Sequence, residues 1–269
     1  LSGYVNSIHA FCEEAYNAYT TRCYLHPDPL ELVHGYEDAA DRELVGFVCA
    51  GLSLGRVDLI LGACRSVLER LPAPAESLAG MQYAELQELF QGFVYRFFRT
   101  DEISSFLFAL GETLRTEGSL EELYLRCAGA DDKTVIPGLE GLIRTLRSRC
   151  PADPGILLPD PAKGGATKRL HMFLRWMVRE DELDLGVWKR VSAGQLLFPL
   201  DVHMFRVAAT LGCTERKTIS LRTAEEVTAY FRRFSPADPV KYDFALTRFG
   251  IHPEVKKRFG LVEQARSKW

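Results

Sequence analysis

The chain has 269 residues, 47% hydrophobic and 26% charged, with a net charge of −3. The charge is unevenly spread: residues 159–269 carry 20 basic and 13 acidic side chains, a balance of +7, which leaves −10 for residues 1–158. This composition excludes disordered and collagen-like classes, and the lack of any run of 18 apolar residues argues against a membrane-spanning helix.

Helix signals dominate and strand signals are nearly absent, so about ten to twelve helices are expected. Asp28-Pro29 reads as an N-cap followed by proline at the first helical position. Apolar residues at 44, 47 and 48, and then at 57, 60, 61, 64, 67 and 68, follow the helical period. Leu71–Ala75 is a proline-punctuated break. Ile103, Phe106, Leu107, Leu110 and Leu114 form one stripe within 102–116, and Ser119 with Glu122 reads as a capping box. A second proline-rich stretch, 150–161, coincides with the charge switch and marks the expected boundary between an acidic region, 1–158, and a basic one, 159–269. Further on, Thr223 with Glu226 reads as another capping box, and Asp238-Pro239 as another cap.

Seven cysteines without a CxxC pair argue against a disulfide framework or a zinc site and fit a reducing, cytoplasmic compartment. No secretory signal pattern opens the chain, and no cofactor or metal is expected.

Three blocks carry residues with chemical potential. In PAKGGATKRLHMFLRWMVRE (161–180), the loop Lys163-Gly164-Gly165 leads into a helix. Leu170, Phe173, Leu174, Met177 and Val178 fall on one face, and Lys168, His171, Arg175 and Arg179 on the other. The expectation is a basic stripe over a buried one, with free amides at the helix start suited to a phosphate. The alternative is a glycine turn before a solvated basic face. In the second block, Asp201 opens a helix as its N-cap, with His203 and Arg206 in the first two turns. In the third, 238–251, Asp243 sits in an apolar helix and calls for a partner, most simply an Arg or Lys. Trp176 and Phe205 are aromatic candidates for base stacking, with core packing as the plainer reading.

The runs 28–61, LLPDPAKGGATKRLHMFLRWMVR (157–179), PLDVHMFRVAATLG (199–212) and DPVKYDFALTRFGI (238–251) resemble an uncharacterised bacterial family known only as a domain of unknown function, over roughly 14–252. More distantly, the chain resembles the helix-hairpin-helix (HhH-GPD) DNA glycosylases. In that superfamily a Lys on the helix after the hairpin attacks the sugar, and an Asp follows in a V-D-x-H-x-x-R-V-like segment. Here Leu200-Asp201-Val202-His203-Met204-Phe205-Arg206-Val207 looks like the Asp segment and Lys168 looks like the Lys. Their separation of 33 residues is similar to that in the archaeal 8-oxoguanine glycosylases, with 181–198 as the longer connection. Two features depart from the superfamily. The hairpin reads Leu158-Pro-Asp-Pro-Ala-Lys-Gly-Gly165 in place of L-P-G-V-G, and the four-cysteine iron–sulfur loop is absent.

The resemblance implies an all-α, two-lobed fold with a central cleft. It also implies a glycosylase with AP-lyase activity that removes a flipped purine such as 8-oxoguanine from double-stranded DNA. Lys168 would be the nucleophile and Asp201 its electrostatic partner. Lys163, Gly164, Gly165, Arg169, His171, Arg175, His203, Arg206 and Asp243 would contact DNA or substrate. A non-catalytic nucleic-acid binder, or a protein-interaction scaffold using the acidic region, are the competing expectations.

Overall fold

A computed structural model describes residues 2–252 and Val255. Within them the chain forms thirteen α-helices and one two-stranded hairpin, so the protein is all-α in class. In order these are α1 (Ser2–Tyr19), α2 (Leu30–Val33), α3 (Ala39–Leu52), α4 (Val57–Leu68), α5 (Pro74–Gly80), α6 (Tyr83–Leu89), β1 (Val94–Tyr95) and β2 (Phe98–Arg99). There follow α7 (Thr100–Glu117), α8 (Leu120–Cys127), α9 (Ile136–Arg149), α10 (Lys168–Val178), α11 (Val202–Thr210), α12 (Leu221–Arg232) and α13 (Asp243–Ile251). No helix among the described residues is long and apolar enough to cross a membrane.

The apolar stripes read from the sequence become the core. Leu44, Phe47 and Val48 on α3, Ile60, Leu61, Cys64, Val67 and Leu68 on α4, and Ile103, Phe106, Leu107 and Leu110 on α7 are all buried. Helix α3 is buried from Glu43 to Leu52 and packs along α10. Gly46 permits that approach: a Cβ there would lie 2.9 Å from Met177 Cε. Phe47 meets Phe173 edge-on at 4.8 Å between ring centroids, and Phe173 in turn meets Trp188 at 5.4 Å. Thus the acidic stretch supplies the helix against which the catalytic candidate helix is seated.

One buried carboxylate organises this contact. Glu43 accepts hydrogen bonds from the backbone N–H of Leu120 and Glu121 at 2.9 Å each, and from the Trp188 indole N–H at 2.7 Å. It therefore caps α8 from a distance and ties it to both α3 and the 181–198 connection. The three donors offset part of the cost of burying the carboxyl, and burial still pushes it above the usual carboxylate range.

The local cap signals hold in part. Asp28 accepts from Leu30 N–H and Ser119 from Glu122 N–H, as caps should. Thr223 does not start its helix: Ser220 caps α12, and Glu226 pairs with Arg216 instead. Asp238 does not cap either, because Arg179 holds its carboxylate, and α13 begins only at Asp243. The hairpin 94–99 has no counterpart among the expected elements, and α2, with four residues, is too short to show a period.

Candidate active site at two helix N-termini

Lys168 and Asp201 meet. The Lys168 ammonium lies 3.0 Å from Asp201 Oδ2, and both side chains keep partial exposure, 32% and 24%. Lys168 is the first residue of α10, and Asp201 is the N-cap of α11. The two helix starts therefore converge on one point of the surface.

Each residue is placed by its local sequence. Asp201 Oδ1 accepts from the N–H groups of His203 and Met204 at 2.9 Å, which fixes the carboxylate and leaves Oδ2 for Lys168. Ahead of Lys168, Gly164 adopts φ +74°, a left-handed turn that glycine tolerates, and Thr167 adopts φ +36°, which a β-branched residue does not adopt freely. Strain of this kind persists where the surroundings impose it. The loop is braced by α12, whose Leu221 N–H donates to Gly164 O at 3.0 Å. Lys163, Gly164 and Gly165 are exposed.

The electrostatics follow from this placement. A lysine at a helix N-terminus faces the positive end of the dipole, a cost of about 0.3–1 kcal/mol, and Asp201 offsets it. Burial alone would raise the Asp201 carboxyl, but the Lys168 ammonium and the α11 amides outweigh it and hold the group below the usual carboxylate range. Asp201 is thus an anion wedged between a cation and two amides.

The expected basic stripe on α10 is corrected. His171, Arg175 and Arg179 are buried, at 1%, 4% and 5% exposure. Arg175 donates to Asp184 at 3.2 Å and to Asp243 at 2.5 Å; Arg179 binds Asp181, Asp184 and Asp238. Arg248 joins Asp28 at 2.5 Å nearby. The face that a helical wheel marks as solvent is in fact covered by the 181–198 connection and α13. Sequence reasoning misses the partners Asp181, Asp184 and Asp238; their only signal is two arginines one turn apart. Asp243 does have the arginine partner that its position called for.

His171 has neither ring nitrogen hydrogen-bonded, and burial pulls its pKa down to about 4, so it is neutral. Arg169 donates to the Gly51 and Ile156 carbonyls and acts as an internal staple, its pKa drawn to about 10 by burial. Trp176 lies in the core, and Phe205 is half-buried against that core. Of the DNA-contact candidates, His203 and Arg206 are exposed on α11. Asp243 lies behind the pair: it feels the charges of both Lys168 and Asp201, its Oδ1 has no hydrogen-bond partner, and burial pushes its carboxyl up. Among the described residues, no three His, Cys, Asp or Glu side chains gather in a metal-ligating group.

Residues 28–252 match the model of the family described as "Protein of unknown function (DUF2400)", and the chain belongs to that family. Neither the curated proteins nor the solved structures include a match to the chain.

Proposed function

We propose that this DUF2400 member is a DNA glycosylase with AP-lyase activity, built on a helical fold of the HhH-GPD kind and acting on double-stranded DNA that carries a damaged purine such as 8-oxoguanine. The observation that carries the reading is the 3.0 Å contact between Lys168 and Asp201, 33 residues apart in sequence and joined at two convergent helix starts.

The reaction uses this pair directly. The target nucleotide leaves the duplex so that C1′ reaches Lys168. The Lys168 amine, having shed a proton to solvent, attacks C1′. The N-glycosidic bond breaks, and the base departs with the electron pair and takes up a proton. Positive charge that develops on the sugar is met by Asp201 Oδ2, which the two amide bonds to Oδ1 keep aimed. Opening of the sugar ring leaves a protonated imine between C1′ and Lys168. Loss of a C2′ proton then expels the 3′ phosphate and cuts the strand.

The exposed Lys163-Gly164-Gly165 turn supports phosphate binding through backbone amides, and His203 and Arg206 flank the α11 start for the same purpose. Asp243, 3% exposed and ion-paired with Arg175, lies in the interior behind the pair and has no substrate contact in this scheme. Arg169, His171 and Arg175 have no DNA contact in this scheme, since their side chains serve the interior.

The test is base release and strand cleavage from duplexes carrying 8-oxoguanine, with Lys168→Gln as control. Release by the unaltered protein and its loss in Lys168→Gln support the proposal. Intact DNA binding with no release from oxidised, deaminated or alkylated purines overturns it in favour of a non-catalytic binder.

A further inference from the structure

The hairpin 94–99 holds a phenylalanine in water at the tip of a two-residue turn. Phe97 is 68% exposed, the highest value among the large apolar side chains described, while the neighbouring Tyr95 and Phe98 are buried. An isolated exposed apolar residue needs no explanation, but this one is held by unusual means. Arg96 adopts φ +53°, a left-handed conformation that a side chain of its kind seldom takes. Its guanidinium packs on the open face of Gly55, where a Cβ would lie 2.6 Å from Arg96 Nη1. Tyr95 Oη donates to Leu54 O at 2.7 Å, and Arg99 Nη1 donates to the Arg96 and Phe98 carbonyls at 2.8 and 3.1 Å. The turn is thus braced on three sides, and the aromatic ring at its tip is left outside.

Two further observations indicate what it meets. The tip is cationic, with Arg96 and Arg99 exposed on either side of Phe97 and the Arg96 guanidinium 5.9 Å from its ring centroid. The end of α3 holds both the hairpin and the site: Arg169, next to Lys168, donates to Gly51 O in the last turn of α3, and Tyr95 donates to Leu54 O just beyond it. By contrast, the shallow groove beside the hairpin, about 430 Å³ and bordered by Leu59, Val94 and Arg70, includes Asp58, which a phosphate backbone would avoid.

We propose that Phe97 is a wedge that inserts into the base stack of duplex DNA at the nucleotide presented to Lys168, while Arg96 and Arg99 hold the adjoining phosphates. An aromatic face fills the gap left by an extruded nucleotide irrespective of sequence, and flanking arginines match the polyanion. The proposal rests on the DNA reading of the Lys168 site but uses a different surface.

The experiment compares unaltered protein, Phe97→Ala and Phe97→Trp on an abasic-site duplex and on the same strand without its complement, with borohydride trapping run in parallel. Phe97→Ala is expected to weaken binding to the duplex about tenfold, the scale of one base–aromatic stack, and to leave single-strand binding unchanged. The indole introduced by Phe97→Trp adds fluorescence above that of the unaltered protein. That added emission is expected to fall on the duplex and to become shielded from acrylamide. Unaltered duplex binding by Phe97→Ala, or unchanged added emission at saturation, overturns the wedge. So does a concentration-dependent dimer that Phe97→Ala dissolves, which would make the tip a self-association surface. The two readings separate cleanly. Trapping without a fluorescence response from Phe97→Trp removes the wedge and keeps the catalytic site, and a response without trapping does the reverse.

Discussion

Asp201 divides its two carboxylate oxygens between two tasks: Oδ1 caps α11 through the amides of His203 and Met204, and Oδ2 holds the Lys168 ammonium at 3.0 Å. A cap and a catalytic carboxylate are commonly alternatives when a sequence is read. Here the cap also aims the oxygen to which the proposed reaction assigns the catalytic role.

The two tasks separate by substitution. Asn is as good an N-cap as Asp, so Asp201→Asn should change stability by well under about 1 kcal/mol, whereas Asp201→Ala should cost about 1 kcal/mol more through the lost cap. Both should abolish base release. Urea unfolding of the two variants beside an activity assay checks this; equal stability of Asn and Ala variants would remove the cap from the account.

Arg175 and Arg206 should behave oppositely although both are basic residues of the same half. Arg175→Ala leaves Asp243 buried without its cation and Asp184 with Arg179 alone, and should destabilise by about 3–5 kcal/mol. Arg206→Ala, at an exposed position, should leave stability unchanged, weaken DNA binding across sequences, and lower the salt-dependence slope by about 1. Denaturation and a salt titration of DNA affinity read the two effects.

His171 predicts a pH effect whose sign is fixed by burial. Its folded pKa, about 4, is below the ordinary value of 6.5, so the unfolded chain binds the proton more readily. The contribution to stability is full above pH 6.5 and is lost as pH falls from there through 4, on the order of 3 kcal/mol in all. His171→Leu removes two unpaired ring nitrogens and should be no less stable near neutral pH. It should lose less stability than the unaltered protein as the solution is acidified from about pH 7 to about pH 4.5. Parallel pH profiles of the two proteins would contradict this.

Glu43→Leu should destabilise by about 3 kcal/mol, because it strands the Leu120 and Glu121 amides and the Trp188 indole in the interior. Hydrogen exchange at the start of α8 should rise more than elsewhere. Uniform loss of protection would mean that Glu43 supports the whole fold rather than this junction.

The apolar periods of α3, α4 and α7 make the all-α class legible, since a buried stripe repeats at the helical spacing whatever lies opposite. The Asp201 cap is legible from its residue type and position, and the closeness of Lys168 to Asp201 is an expectation of the resemblance alone, since 33 residues of sequence carry no sign of it. The destination of Arg175 and Arg179 is not. A helical wheel tells which residues differ from the apolar stripe, but not whether a later connection and a distant helix will cover them. The aspartates at 181, 184, 238 and 243 lie two to sixty-eight residues away from these arginines, and only the tertiary fold brings them in. Phe97 is hidden for the opposite reason: in Phe93–Arg99 the aromatics are too dense for an alternation to show which one stays outside.

The proposed activity turns on a covalent imine between Lys168 and DNA. Its most direct test is borohydride reduction on an abasic-site duplex, followed by proteolysis and mass spectrometry of the cross-linked peptide. The expected result is a single adduct on Lys168, absent from Lys168→Gln and strongly reduced in Asp201→Asn. No adduct, or one mapped to another lysine and indifferent to Asp201, would contradict it.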